Sequence, residues 1–387
     1  MKKFFFILTD SGFSKRDYDR FGINQLKKKF EVKVLDFTKL FSLYFWKNYK
    51  EKIFYFKGYK RVSNEKDLKL IFSEKRIIVA LDFLSSFTRA NSVRKLVKNY
   101  RIPLALIFNG SVMPLKRTFI ENILVIYFYL FNPQKLIKKL LGLVLRGKSV
   151  QCVNYNYVLV SGRADLQSKL IHQDTKIIKA HSFDFEEVIK IKKKNIFKSR
   201  PYVVFLDQFV PYHSGAKFRG EKNKCTVENY YPAINSFFDN FEKKFKTQII
   251  IAGHPRSNYI LNKKIWNGRR CYLNKTVELV KYSEMVMTHT STAISYAVIF
   301  NKKIIFLTTN EYMKSYDNFR PNSYARQLDS IIINLDKVND FNLLPEKSCW
   351  HDYNKRVYND YKKNYVSFNV NNKESLWQIF SKKIIIK

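Results

Sequence analysis

Two stretches decide the fold: TQIIIAGHPRSNY, residues 247–259, and EMVMTHTSTAISYAVIFNKKIIFL, residues 284–307. Each opens with a β-branched or apolar run, as a strand buried on both faces does. Each strand stops at a histidine-bearing turn, Gly253-His254-Pro255 in the first and Thr288-His289-Thr290-Ser291-Thr292 in the second. The second turn feeds a short apolar helix, ISYAVIF, and then another strand, KIIFL. Strand–helix alternation of this kind predicts a parallel α/β sheet, whose ligands bind beyond the carboxyl ends of the strands. Small hydroxyls ahead of a helix, beside free backbone N–H groups, are suited to a phosphate.

The same rhythm extends outward. KKFFFILT is a first strand ending at Asp10-Ser11-Gly12, and the polar loop SKRDYDRFG, the helix INQLKKKF and the strand EVKVLDF follow. Further strands are expected at KIFYF, RIIVALDF, PLALIFNG, YVLVSG and KIIKAHS. Several end in polar or small residues, among them Asp82, Asn109 and Asp184. A second α/β half opens with PYVVFLDQFVPYHSG, whose strand ends at Asp207-Gln208, and continues through the helix VENYYPAINSFFDNFEKKF. The domain boundaries read as 1–190, 191–370 and a C-terminal helix, 371–387, that returns to the first domain.

The chain has 387 residues, room for two domains, and 46% of them are hydrophobic. Its 34 Phe and 25 Tyr belong to a packed chain and not a disordered one. The formal charge of +39 is spread along the sequence. An anionic membrane surface is one partner that charge would favour, and a lysine-rich composition is the plainer explanation. Without zinc-finger spacing or an RNP-like motif, nucleic acid is not an expected partner. Cys152, Cys225, Cys271 and Cys349 are widely spaced, as free thiols in a reducing compartment would be. The apolar run FFFIL is too short for a signal peptide, and no stretch reaches the length of a spanning helix. Residues 119–148 read two ways: as an aromatic helix beside a basic amphipathic one lying on a membrane, or as two packed core helices with snorkelling lysines.

The His254-Pro255 pair and the Ser291-Thr292 turn resemble two motifs of bacterial CMP-sialic acid-using glycosyltransferases. CDP-glycerol glycerophosphotransferases of teichoic acid synthesis carry a comparable histidine and Ser-Ser turn, so a polyol-phosphate transferase is the rival enzyme reading and a non-catalytic nucleotide-binding module that kept the fold is the third. The resemblance implies an α/β protein with two Rossmann-like domains facing a cleft, the GT-B fold. It also implies a metal-independent, inverting transfer of an acidic sugar (sialic, pseudaminic or legionaminic acid, or Kdo) from a CMP donor to a surface-glycan acceptor. No cofactor is expected beyond the nucleotide sugar, and the setting is the cytoplasmic face of the plasma membrane. On this reading His254 meets the departing phosphate, held by Ser291, Thr292 and the turn residues Gly253, Pro255, His289 and Thr290. Glu278 is the candidate for the ribose hydroxyls.

An inverting transfer needs a carboxylate to take the acceptor proton. The Asp/Glu-Asp-Gly motif that carries it in the sialyltransferases is absent from this sequence. Asp10, Asp17, Asp82, Asp184 and Asp207 qualify by position, with Asp10 first, since Ser11-Gly12 lets the backbone bend toward a ligand. Ser11, Arg16, Arg20 and Asn109 are candidates for substrate contacts, the arginines by a planar fork on a carboxylate. For each of these residues a turn, a cap or a solvated surface is the competing role.

Overall fold

The computed structural model describes residues 2–48, 53–74, 76–85, 88–108, 113–134, 136–137, 140–141, 153–191, 201–212, 223–255, 257, 263–314 and 319–385. The chain divides into two compact units. The first comprises residues 1–111, 123–186 and 364–387; the second comprises 112–122 and 187–363.

The first unit is built on a seven-stranded parallel sheet. In chain order its strands are β1 (Phe4–Thr9), β2 (Glu31–Asp36), β3 (Tyr59–Arg61), β4 (Ile77–Phe83), β5 (Leu104–Ile107), β6 (Tyr157–Val160) and β7 (Lys176–Lys179). Their spatial order is β3-β2-β1-β4-β5-β6-β7. Both faces are covered, so alternate residues of one strand serve two cores. Phe5, Ile7, Val79 and Leu81 pack with Trp377 and Phe380 of the C-terminal helix, Leu376–Ile385. Phe6, Leu8 and Ala80 pack on the other side with Ala90 and Val93 of the helix Thr88–Asn99.

The return of the C-terminal segment is specific. Ser182 N–H donates to the Val366 carbonyl, and the Trp377 indole donates to the Arg20 carbonyl at 3.0 Å. Gly22 sits at φ +57, and a Cβ there would lie 2.1 Å from the Trp377 ring, so glycine is required on both counts. Buried Glu186 takes three donors: His181 Nε2 at 2.9 Å, Ser375 Oγ at 2.9 Å and the Leu376 N–H at 2.8 Å.

The second unit holds six parallel strands: β8 (Tyr202–Leu206), β9 (Gln248–Gly253), β10 (Cys271–Leu273), β11 (Met285–Thr288), β12 (Lys303–Thr308) and β13 (Ile331–Asn334). Their order, β10-β9-β8-β11-β12-β13, is the doubly wound 3-2-1-4-5-6 pattern. The long helix Val227–Phe245 covers one face with Tyr230, Ile234, Phe238 and Phe241. In each unit the chain turns back at one place, between β1 and β4 and between β8 and β11. Those are the switch points where a doubly wound sheet leaves a crevice.

Three sequence expectations are corrected. KIFYF is not a strand over its described residues, 53–56. Its Phe54 and Phe56 plug the first core beside Tyr18, and the pairing strand is β3, beyond the turn at Gly58. The polar loop SKRDYDRFG contains a helix, Lys15–Arg20, opened by a reciprocal Ser14–Asp17 capping box, which occupies Asp17. Residues 256–275, which read as a loop from the sequence, contain the edge strand β10.

Candidate active site

In the second unit both histidine turns hang from one dipeptide. Asp207 and Gln208 follow β8, which lies between β9 and β11. Asp207 Oδ2 accepts from the His254 N–H at 3.1 Å, on the β9 side. Gln208 Oε1 accepts from the Thr290 N–H at 2.6 Å, and Gln208 Nε2 donates to Thr290 Oγ1 at 3.3 Å, on the β11 side. With two inter-strand spacings across β8, the turns stand roughly 10 Å apart at the backbone. Asp207 Oδ1 takes the Phe209 N–H at 2.8 Å and holds Phe209 at φ +54, a strained conformation for a bulky residue. Phe209 in turn lies nearly parallel to the His254 ring, 6.4 Å between centroids.

His254 is half-buried, Gly253 buried and Pro255 exposed. The expectation that Asp207 acts as the base is corrected here, since it is 5% exposed and both its oxygens brace turn N–H groups. His289 is also corrected as a phosphate contact. It is fully buried; its Nδ1 donates to the Leu307 carbonyl at 2.7 Å and its Nε2 accepts from Tyr230 Oη at 2.8 Å. The carbonyl cannot donate, so Nδ1 carries a proton. Burial lowers its pKa to about 4, the Leu307 bond opposes the shift, and Lys224 adds to it.

Thr290 is buried within the same neutral network. Its hydroxyl lies 3.0 Å from Tyr312 Oη, which also accepts from Lys224 Nζ at 2.9 Å. Ser291 is half-buried, and its Oγ accepts from the Ala293 N–H at 3.2 Å, leaving its proton to donate outward. Thr292 is exposed, and its backbone N–H has no partner among the described residues. The following helix, Ile294–Ile299, has six residues and no side-chain cap, so the hydroxyls and the turn N–H are the useful donors. Glu278 lies on the helix Thr276–Tyr282 with one loose partner, Lys275 Nζ at 3.4 Å.

The first unit's switch point is charged. Asp10 follows β1, and its Oδ2 accepts from the Ser85 N–H at 2.9 Å and Ser85 Oγ at 2.5 Å, beyond β4. Its Oδ1 has no partner among the described residues. Burial raises the Asp10 pKa, against the two Ser85 bonds and the nearby Arg94 guanidinium. Asp82 is different, and its selection as a base is corrected. It is 2% exposed, and Arg94 (Nε at 2.7 Å), Tyr155 Oη (2.8 Å) and the Leu84 N–H (2.9 Å) fill both oxygens. Ser11 is exposed, with Thr9 Oγ1 at 3.5 Å, and Arg16 is exposed without a partner among the described residues. Arg20 lies over the Phe183 ring at 4.5 Å. Asn109 lies outside the described residues. Gln208, Ser85 and Lys224 were not singled out from sequence; the only signal was their place just after, or leading into, an element at a switch point.

No family model and no curated protein matches this sequence. Solved structures do resemble it. The wall teichoic acid polymerase TagF aligns over 99% of this chain and 89% of its own, at 11% identity and TM-score 0.54. Phytolacca americana UGT2, complexed with UDP-2fluoro-glucose and pterostilbene, aligns over 94% of each chain at 8% identity and TM-score 0.51. The fold is GT-B. At such identity the likeness speaks to fold alone.

Proposed function

We propose that this chain is an inverting, metal-independent glycosyltransferase. It moves an acidic sugar of the sialic, pseudaminic, legionaminic or Kdo type from a CMP donor to a surface-polysaccharide acceptor at the inner face of the plasma membrane. The observation that carries the reading is the Asp207-Gln208 hub, which fixes two donor-bearing turns on either side of one strand end. A CMP donor holds its sugar through a single phosphodiester of charge about −1, and the departing CMP monoester gains one further negative charge unless it is protonated. Fixed hydrogen-bond donors can stabilise it without a cation, because they are oriented before the charge develops. His254 donates to or protonates the departing phosphate, and Ser291 Oγ–H with the Thr292 N–H and hydroxyl hold its oxygens. Asp10, with a raised pKa and one oxygen without a partner among the described residues, takes the acceptor proton.

A second reading is favoured by one finding: TagF has been soaked with CDPG. A transferase of CDP-glycerol type would move a polyol phosphate and also release CMP. The two readings share the leaving group and differ in what departs from it.

The test is CMP release from CMP-sialic acid, CMP-Kdo and CDP-glycerol, with and without chelator. Release from an acidic-sugar donor, unaffected by chelator, is the expected result. Release from CDP-glycerol alone moves the assignment to the second reading, and release from none rejects both. His254→Ala is expected to cost roughly 10²–10³-fold in turnover with an unchanged melting temperature.

A further inference from the structure

The helix Phe119–Leu130, FIENILVIYFYL, is turned inside out. Of the twenty exposed large apolar side chains among the described residues, twelve lie between 119 and 141. Phe119 is 80% exposed and Ile126 61%. The less exposed positions, Glu121, Val125 and Tyr129, form one i, i+4, i+8 ridge toward the protein. At about 100° per residue the exposed apolar positions, Phe119 to Leu130, sweep an arc of about 200°. A water-facing helix shows the reverse, a narrow apolar stripe turned inward. Glu121, the one acid in the stretch 113–150, is held in a bidentate pair by Arg326, at 2.9 and 2.8 Å. The same stretch carries seven Lys and Arg, including Lys116 and Arg117 ahead of the helix.

We propose that this helix is a monotopic anchor that lies in the surface of an anionic phospholipid bilayer. Its twelve residues measure about 18 Å, short of the ~30 Å hydrocarbon core, so it cannot span. No helix among the described residues is long and apolar enough to cross a membrane. A protein groove would take one stripe at i, i+3, i+4, i+7 and leave the rest of the arc wet, whereas acyl chains cover all of it. The exposed Lys116 and Arg117 ahead of the helix select the headgroup: phosphatidylglycerol-like lipids attract them and zwitterionic ones do not. The Arg326–Glu121 pair neutralises the one carboxylate of the stretch, the only charge that would be repelled. The proposal does not depend on the transfer reaction.

The test is flotation of the full chain with vesicles of phosphatidylcholine, alone or with one third phosphatidylglycerol. The protein is expected to float with the anionic vesicles. A triple change, Ile123→Glu, Ile126→Glu and Leu130→Glu, is expected to cut the floated fraction roughly tenfold with no change in melting temperature. Lys116→Ser with Arg117→Ser is expected to weaken binding to anionic vesicles alone, which keeps the idea testable if the triple variant misfolds. Wild-type protein left at the bottom of both gradients, or equal flotation of the variants, overturns it. So does a vesicle-free dimer that the triple change dissolves, since a second copy would then be covering the helix.

Discussion

The two switch points solve one structural problem with opposite chemistry. In both, a side chain after the first strand of the sheet reaches across to the second residue past the fourth. In the first unit Asp10 takes Ser85; in the second Gln208 takes Thr290. Beneath Asp10 lies a buried ionic set, Asp82 with Arg94 and Tyr155. Beneath Gln208 lies a set of neutral rings, His289 with Tyr230 and Tyr312, with the Lys224 ammonium on the Tyr312 hydroxyl at its edge. The carboxylate near the second switch point, Asp207, is spent on backbone N–H groups. The difference assigns chemistry. A site that keeps an ionisable oxygen is suited to move a proton, and one that presents neutral donors is suited to receive an anion.

The sharpest break in this comparison is Arg94→Met. It strands a buried, hydrogen-bonded carboxylate, and losing one partner of a buried pair costs about 3–5 kcal/mol. Urea unfolding should show it. Replacing both partners, Asp82→Leu with Arg94→Met, should recover most of that loss, because no unpaired charge remains. Gln208→Met at the neutral switch point should cost only about 1 kcal/mol. Equal losses on the two sides would erase the distinction.

Next in size is Asp10→Asn. The amide oxygen still accepts from both Ser85 donors, so the fold should hold, while the proton acceptor is gone. CMP release in the presence of acceptor should fall roughly 10²–10³-fold. The wild-type rate should drop as pH falls through the raised Asp10 pKa, and the variant should lack that limb. A variant that keeps both rate and limb removes Asp10 from the mechanism.

The neutral side makes its own prediction with pH. His289 titrates near 4 when folded and near 6.5 in an unfolded chain. Between those values the unfolded state binds the proton and the folded state does not. The His289 contribution to stability is therefore flat above about pH 6.5 and falls as pH drops toward 4, by on the order of 3 kcal/mol. Urea midpoints at pH 7, 5.5 and 4.5 measure it, and His289→Phe should flatten the slope.

His289 also shows what the sequence could and could not reveal. The strand MVMTH was readable as a strand, and its period of two was already decisive. Met285 and Met287 face the core under the helix Val227–Phe245, so His289, two residues on, faces it too. The histidine turn attracted a ligand role although parity had placed the ring inside. Asp82 follows the same rule, sharing the face of Ala80 and Leu84 toward the helix that carries Arg94. Strand alternation and the Gly-His-Pro turn were legible because they are local. Which carboxylate is saturated was not, because Arg94, Tyr155 and Ser85 arrive from 12, 73 and 75 residues away. KIFYF failed for a related reason: alternating aromatics fit a strand and a loop that plugs a core equally well.

The smallest effect is the most discriminating one at the neutral site. Ser291 Oγ accepts from the Ala293 N–H at 3.2 Å, a long, half-buried turn bond whose loss should leave stability within about 0.5 kcal/mol. Its outward proton has no such internal use. Ser291→Ala should therefore weaken CMP binding by about 1 kcal/mol, roughly fivefold, and spare the melt. Thr290→Val should do the opposite, since that hydroxyl is bonded inward to Gln208 and Tyr312 and its loss loosens the turn. Calorimetric titration with CMP beside thermal melts of both variants separates the two roles. If Ser291→Ala destabilises the fold and leaves CMP affinity unchanged, the hydroxyl is a cap, and the anion site must be sought in the His254 turn alone.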